Sequence, residues 1–355
     1  MAIQWMDNFG WCGTGAASLP FLLSGTPYGI LANTTGYYGG VTTDPVISGG
    51  VCLQVGQTLS NYDNTDNALN LPAPTNKVGV AKRWYSAGGA QRSITQYLDV
   101  YGNVICRVVA ETTGAISVYG SGLLAGPLLG TTTVPVITFN TWWHIETFFD
   151  NSGIVDVYVE GVKKLTATYT GPGTSITGVG WSPRYGEGSP GGTVLLKDLV
   201  IYDTTGTVNN TSGSIGPRSV YRLVLNSDVS NGWTITGGTT VNGTISGEPP
   251  LDSSQYISAG SSIPAPAICG IASLPTSIIS VSGVMSLQRT SKSDGGVATY
   301  QVDLKSGSAT HTGTTHSAAT SYNYQWDVVE LDPNTGVLWT PTAVDNLKVE
   351  INRIT

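Results

Sequence analysis

The chain has 355 residues, more than one small core accommodates, so two domains are expected. Charged residues make up 11% of it, against about 25% in a typical globular protein, and Gly, Ser, Thr and Asn take their place. The net charge of −7 and the scattered Lys and Arg argue against a partner held mainly by phosphate contacts, and no apolar run is long enough for a membrane-spanning helix.

From the N-terminus, Met1 to Phe9 has neither the basic start nor the apolar stretch of a secretory signal, so a cytosolic product is expected. Cys12, Cys52, Cys106 and Cys269 lie far apart without a Cys-x-x-Cys pair, which reads as buried free thiols. Asp63 and Asp66, with Asn61, Asn64 and Asn67, are oxygen donors of the type that binds calcium, but their spacing matches no calcium motif. No metal and no cofactor is therefore expected. Trp84, Tyr85, Trp181 and Tyr185 are candidate glycan contacts, since aromatic rings stack on sugars, although aromatic residues in strands more often fill cores. Tyr37 and Tyr38 belong to the same class.

The strongest strand pattern runs from Phe139 to Thr170. Trp143, Ile145, Thr147 and Phe149 share one face, and Asp150-Asn151-Ser152-Gly153 turns the chain. Val155, Val157 and Val159 then alternate with Asp156, Tyr158 and Glu160, and a third strand passes through Leu165, Ala167 and Tyr169. His144, His311 and His316 are too few and too separated for a triad or a metal site. His144-Ile145-Glu146 has the start of a zinc-deaminase motif but lacks its Pro-Cys-x-x-Cys half. Residues 186–191 spell G-x-G-x-x-G, yet Pro190 and the strand-rich surroundings deny the helix that a dinucleotide site requires.

A strand from Thr193 to Tyr202 completes a first domain over residues 1–203. Residues 204–218, rich in Thr, Gly, Asn and Ser, read as a linker, and residues 219–355 as a second domain. The second domain opens with an expected strand at Ser219 to Leu225. Tyr322, Tyr324, Trp326 and Val328 alternate with Asn323, Gln325 and Asp327 in a half-buried strand. Asp332-Pro333-Asn334-Thr335-Gly336 is a turn, Thr340-Pro341 an N-cap followed by proline at the first helical position, and Leu347, Val349 and Ile351 a closing strand. The fold class that follows is all-β, as two antiparallel β-sandwich (jelly-roll) domains in series.

The segment TWWHIETFFDNSGIVDVYVEGV, residues 141–162, resembles the strand-turn-strand of concanavalin A-like, laminin G-like jelly rolls. The Glu-x-Asp-x-x-Glu motif that marks the glucanases of that fold does not occur. Four further segments in order, IQWMDNFGWCGT, YDTTGTVNN, SGEPPLDSSQYIS and WDVVELDPNTGVLWTPTAVDNLKVEI, resemble tailed-bacteriophage virion proteins that carry such a domain at the N-terminus. Trp11-Cys12 and the low charge depart from that pattern and leave the subfamily open. The resemblance implies a non-enzymatic particle component, a capsid decoration, head or neck fibre or tail protein. It would be assembled in the host cytoplasm, with other virion proteins and copies of itself as partners, a trimer being the favoured state. The alternative is a lectin-like module contacting host or environmental glycans. Neither reading involves nucleic acid or a membrane.

Overall fold

A computed structural model describes residues 3–9, 40–46, 51–55, 67–121, 126–171, 173–181, 193–246 and 254–355. Cys12, Tyr37, Tyr38, Asp63, Asp66, Tyr185 and the glycine-rich 186–191 stretch lie outside the described residues. The chain divides into two compact units, with the division at Val220/Tyr221. Described strands are antiparallel throughout.

In the first unit the described strands are β1 (Ile3–Asp7), β2 (Gly40–Thr43), β3 (Val51–Gln54), β4 (Asn67–Thr75), β5 (Lys77–Ser86), β6 (Arg92–Leu98) and β7 (Val104–Ala110). They continue with β8 (Ile116–Tyr119), β9 (Leu128–Thr131), β10 (Trp143–Asp150), β11 (Ile154–Val159), β12 (Val162–Thr168), β13 (Ile176–Trp181) and β14 (Val194–Tyr202). One sheet runs β12-β11-β10-β5-β14-β3-β2, with β1 also on β14; the other runs β4-β13-β6-β7-β8-β9. The expected alternation sets which face is which. Ile145, Thr147 and Phe149 pair with Val159, Val157 and Val155, and these six side chains are buried in the core. The β10–β11 turn expected after Asp150 forms there, and the β11–β12 turn uses positive φ at Glu160 and Gly161 (51° and 75°), the geometry of a two-residue hairpin.

That core contains a polar thread. Lys82 is fully buried and its Nζ donates to Thr95 Oγ1 at 2.6 Å, 5.9 Å from the centroid of the Trp181 ring. Thr147 Oγ1 donates to the same Thr95 oxygen at 3.1 Å and accepts from Tyr97 OH at 2.7 Å. Burial holds the Lys82 amine well below its ordinary pKa and the Tyr97 phenol well above its own, because neither charge is solvated there.

Residues 204–218 were expected as a linker, and the structure places them in the first unit as a strap on the outer face of the larger sheet. Tyr202 OH donates to Gly213 O at 2.7 Å, and the Glu146 carboxylate accepts from Ser214 Oγ at 2.6 Å and from Ile215 N at 2.7 Å. The strap explains why β10 is buried on both faces from His144 to Asp150, where alternation alone predicts one. The expected strand at Ser219 to Leu225 does not form. Val220 N donates to Asp198 Oδ1 at 3.0 Å, and the first strand of the second unit begins at Leu225.

The second unit holds β15 (Leu225–Ser230), β16 (Thr234–Thr236), α1 (Val241–Ile245), β17 (Tyr256–Ser258), β18 (Ala267–Ile271) and β19 (Val284–Thr290). After these come β20 (Thr299–Ser306), β21 (Ala309–His311), β22 (His316–Ser317), β23 (Asn323–Val329), α2 (Pro341–Asp345) and β24 (Lys348–Arg353). Its main sheet runs β15-β18-β24-β20-β21 with β22 also on β20, beside the two-stranded ribbons β16–β17 and β19–β23. Ile271 and Leu304 of the sheet and Val329 of the ribbon share a core with Trp339, Val344 and Leu347. The helix start expected at Thr340 is present, with Ala343 N donating to Thr340 Oγ1 at 3.1 Å. Helix α1 was not expected; Thr240 caps it, and Asp228 accepts from Val241 N at 2.7 Å and Asn242 N at 2.8 Å.

Candidate functional site

The outer face of the larger sheet has two parts, and a bulge separates them. On β14 the register with β5 shifts between Lys197 and Val200, and Asp198 adopts a positive φ of 53°, costly for a residue with a side chain. The extra residue directs Lys197 and Asp198 to the same outer face. Each finds a counter-ion there: Lys197 Nζ pairs with Asp44, and Asp198 Oδ2 lies 3.4 Å from Arg83 Nε.

Beneath the strap sits the His144–Glu146 pair, which the sequence presents as a fragment of a metal motif. Nδ1 of His144 is 3.6 Å from Glu146 Oε1, too long for a hydrogen bond, and its Nε2 accepts from Arg218 N at 3.4 Å. Burial, with Arg83, Lys82 and Arg218 nearby, pushes the imidazole down to about 4, so it is neutral near pH 7. Burial raises the Glu146 carboxyl, opposed by its bonds to Ser214 and Ile215. Both groups are spent on holding the strap, which covers them. Among the described residues no group of three or more His, Cys, Asp or Glu is placed to hold a metal ion.

The other part of the face carries aromatic rings. Tyr85 and Trp142 are half-buried, with ring centroids 5.5 Å apart and planes inclined at 48°. The Trp142 indole N–H donates to Asp44 Oδ1 at 3.0 Å, and Lys197 Nζ lies 4.6 Å from the ring centroid. Asp44 therefore holds both the indole edge and the ammonium beneath it. Cys52 is buried near these groups, its thiol pushed up to about 12 by burial and then by Asp44, so it is not a nucleophile. Trp143, also half-buried, donates its indole N–H to Thr138 O at 2.9 Å.

Of the four candidate glycan contacts, Tyr85 alone is placed with part of its ring accessible among the described residues. Trp84 and Trp181 are a correction: both are fully buried in the core and present no ring face to a ligand. The cause is strand parity, since Trp84 pairs with Trp143 on β10 and with Leu196 on β14, in line with inward-facing Val80 and Lys82. Trp142 was missed, although the same parity applied to Trp143 and Ile145 places it outward. Cys52, Cys106 and Cys269 are free and buried, as expected.

No family model and no curated protein matches the chain. Among solved structures it is similar to a cellulose-induced protein, Cip1, at 16% identity and TM-score 0.39, over 56% of this chain and 96% of that one. It is similar also to the carbohydrate binding module CBM66 from Bacillus subtilis, at 12% identity and TM-score 0.32, over 49% of this chain and 100% of that one. A sialidase aligns at 11% identity and TM-score 0.37, over 56% of this chain, which spans only 18% of the sialidase. Likenesses this distant concern strand arrangement and assign no ligand. None bears on the virion role implied by the sequence resemblance.

Proposed function

We propose that the chain is a non-catalytic glycan-recognition module, with Tyr85 and Trp142 as its contact surface. The observation that carries this reading is the fixed aromatic pair on the outer face of the larger sheet: Trp142 is held at its edge by Asp44 and over one face by Lys197. A sugar presents a C–H face that packs on aromatic rings, and a ring already held in place loses little freedom on binding. The acid–base pair nearest to it, His144 and Glu146, supports a passive role because the strap occupies it. A glycan array probed with the full chain tests the reading. Binding to at least one glycan, lost in Trp142→Ala, is the expected result; no binding, or binding indifferent to Trp142, contradicts it. Release of reducing sugar from a bound glycan would contradict the non-catalytic part.

The second reading, a component of a tailed-phage particle assembled in the host cytoplasm, rests on the four ordered sequence segments. It is compatible with the first, since a particle component can display a glycan-binding face. Purified particles containing the chain would support it, and absence of the chain from them would overturn it.

A further inference from the structure

We infer that the Tyr85–Trp142 surface takes uncharged glycans and discriminates against sialylated, uronic-acid and sulfated ones; this rests on the glycan-recognition reading above. An anionic sugar is held best by a cation without a counter-ion, whereas among the described residues Lys197 and Arg83, the cations on this face beside the aromatic pair, already face carboxylates. Lys197, its side chain 10% exposed, is paired with Asp44, and Arg83, its side chain 39% exposed, faces Asp198 Oδ2 with its Nε at 3.4 Å. Asp44 is doubly committed, to the ammonium and to the Trp142 indole. Drawing Lys197 toward a ligand carboxylate would therefore leave Asp44 buried without its counter-ion and unseat the ring that the ligand stacks on. Among the described residues, the same pairing engages both carboxylates of this face that could bind a cationic amino sugar, Asp44 and Asp198.

What the surface does offer matches a neutral sugar: two inclined aromatic rings for the apolar C–H face, on a sheet surface where local charges cancel. Binding of this kind is insensitive to salt, whereas recognition of an acidic sugar weakens as salt screens the charges.

The test uses the full chain on an array carrying neutral, sialylated, uronic-acid and sulfated glycans, followed by calorimetric titration of the strongest binder. The inference expects neutral glycans as the binders and an affinity that changes less than twofold between 0.05 and 0.5 M NaCl. Trp142→Ala and, independently, Tyr85→Ala should each weaken binding tenfold or more, while Trp142→Phe, which keeps a stacking ring, should weaken it less than Trp142→Ala does. Binding confined to anionic glycans, falling with salt yet still lost in Trp142→Ala, would overturn the substrate class while leaving glycan recognition intact. Failure of every glycan to bind, or unchanged binding in folded Trp142→Ala and Tyr85→Ala, would overturn both.

Discussion

Lys82 sits in the first unit's core with Thr95 Oγ1 as hydrogen-bond acceptor, and burial depresses its pKa. The unfolded chain therefore binds more protons at this site than the folded one, so its contribution to stability rises with pH up to the ordinary lysine value of about 10.4. Lys82→Met, close in shape and uncharged, is expected to be more stable than wild type near pH 7. Its advantage should shrink as the pH rises toward the ordinary lysine range, read as the difference between denaturant unfolding curves. A pH-independent difference would contradict the depressed pKa of the buried amine. Comparing variant with wild type removes the opposing effect of Cys52 and Cys106, whose raised thiol values act alike in both. Trp181, offered by its residue type as a sugar contact, belongs instead to this core. Trp181→Ala should cost about 3–5 kcal/mol of stability and leave the glycan affinity of the folded fraction unchanged. The sequence shows residue type at such positions, while the partner strand decides which way the ring points.

At the scale of elements, what was legible was what depends on near neighbours. The β10–β11–β12 meander, the Asp332 turn and the Thr340 cap follow from alternation and from side chains that bond their own backbone; Asn334 N donates to Asp332 Oδ1 at 3.0 Å. Trp339, just before that cap, is buried and donates its indole N–H to Val329 O at 2.8 Å. The strap was not legible, because its polar composition is that of a linker and the anchor of its Ser214 and Ile215, Glu146, is distant in sequence. The bulge that aims Asp198 outward was likewise hidden, since nothing in Leu196-Lys197-Asp198-Leu199 announces a positive φ. Glu146→Ala should release the strap: hydrogen exchange at the Ile215 amide is expected to speed up at least tenfold, with amides of β6 and β7 unaffected. Unchanged exchange at Ile215 would mean that the strap is held by other contacts.

For the whole molecule, the all-β class and the presence of two units follow from strand patterns and length, while the position of the boundary depends on the strap. The structure extends the first unit to Val220, where composition alone ends it at residue 203. A fragment of residues 1–220 is expected to unfold cooperatively. One ending at residue 203 should be less stable by roughly 3 kcal/mol or more, having lost the Ser214 and Ile215 bonds to Glu146 and the Val220 bond to Asp198. Equal stability of the two fragments would restore the linker reading. The site was half legible: Tyr85 was named for its residue type, while Trp142 emerges once Asp44, far away in sequence, is seen to hold its indole. The claim that this face recognises glycans is tested most directly by following the tryptophan indole N–H resonances while a glycan from the array is titrated in. The Trp142 signal is expected to shift and saturate while those of buried Trp84 and Trp181 stay in place; a silent Trp142 during saturable binding would contradict the account.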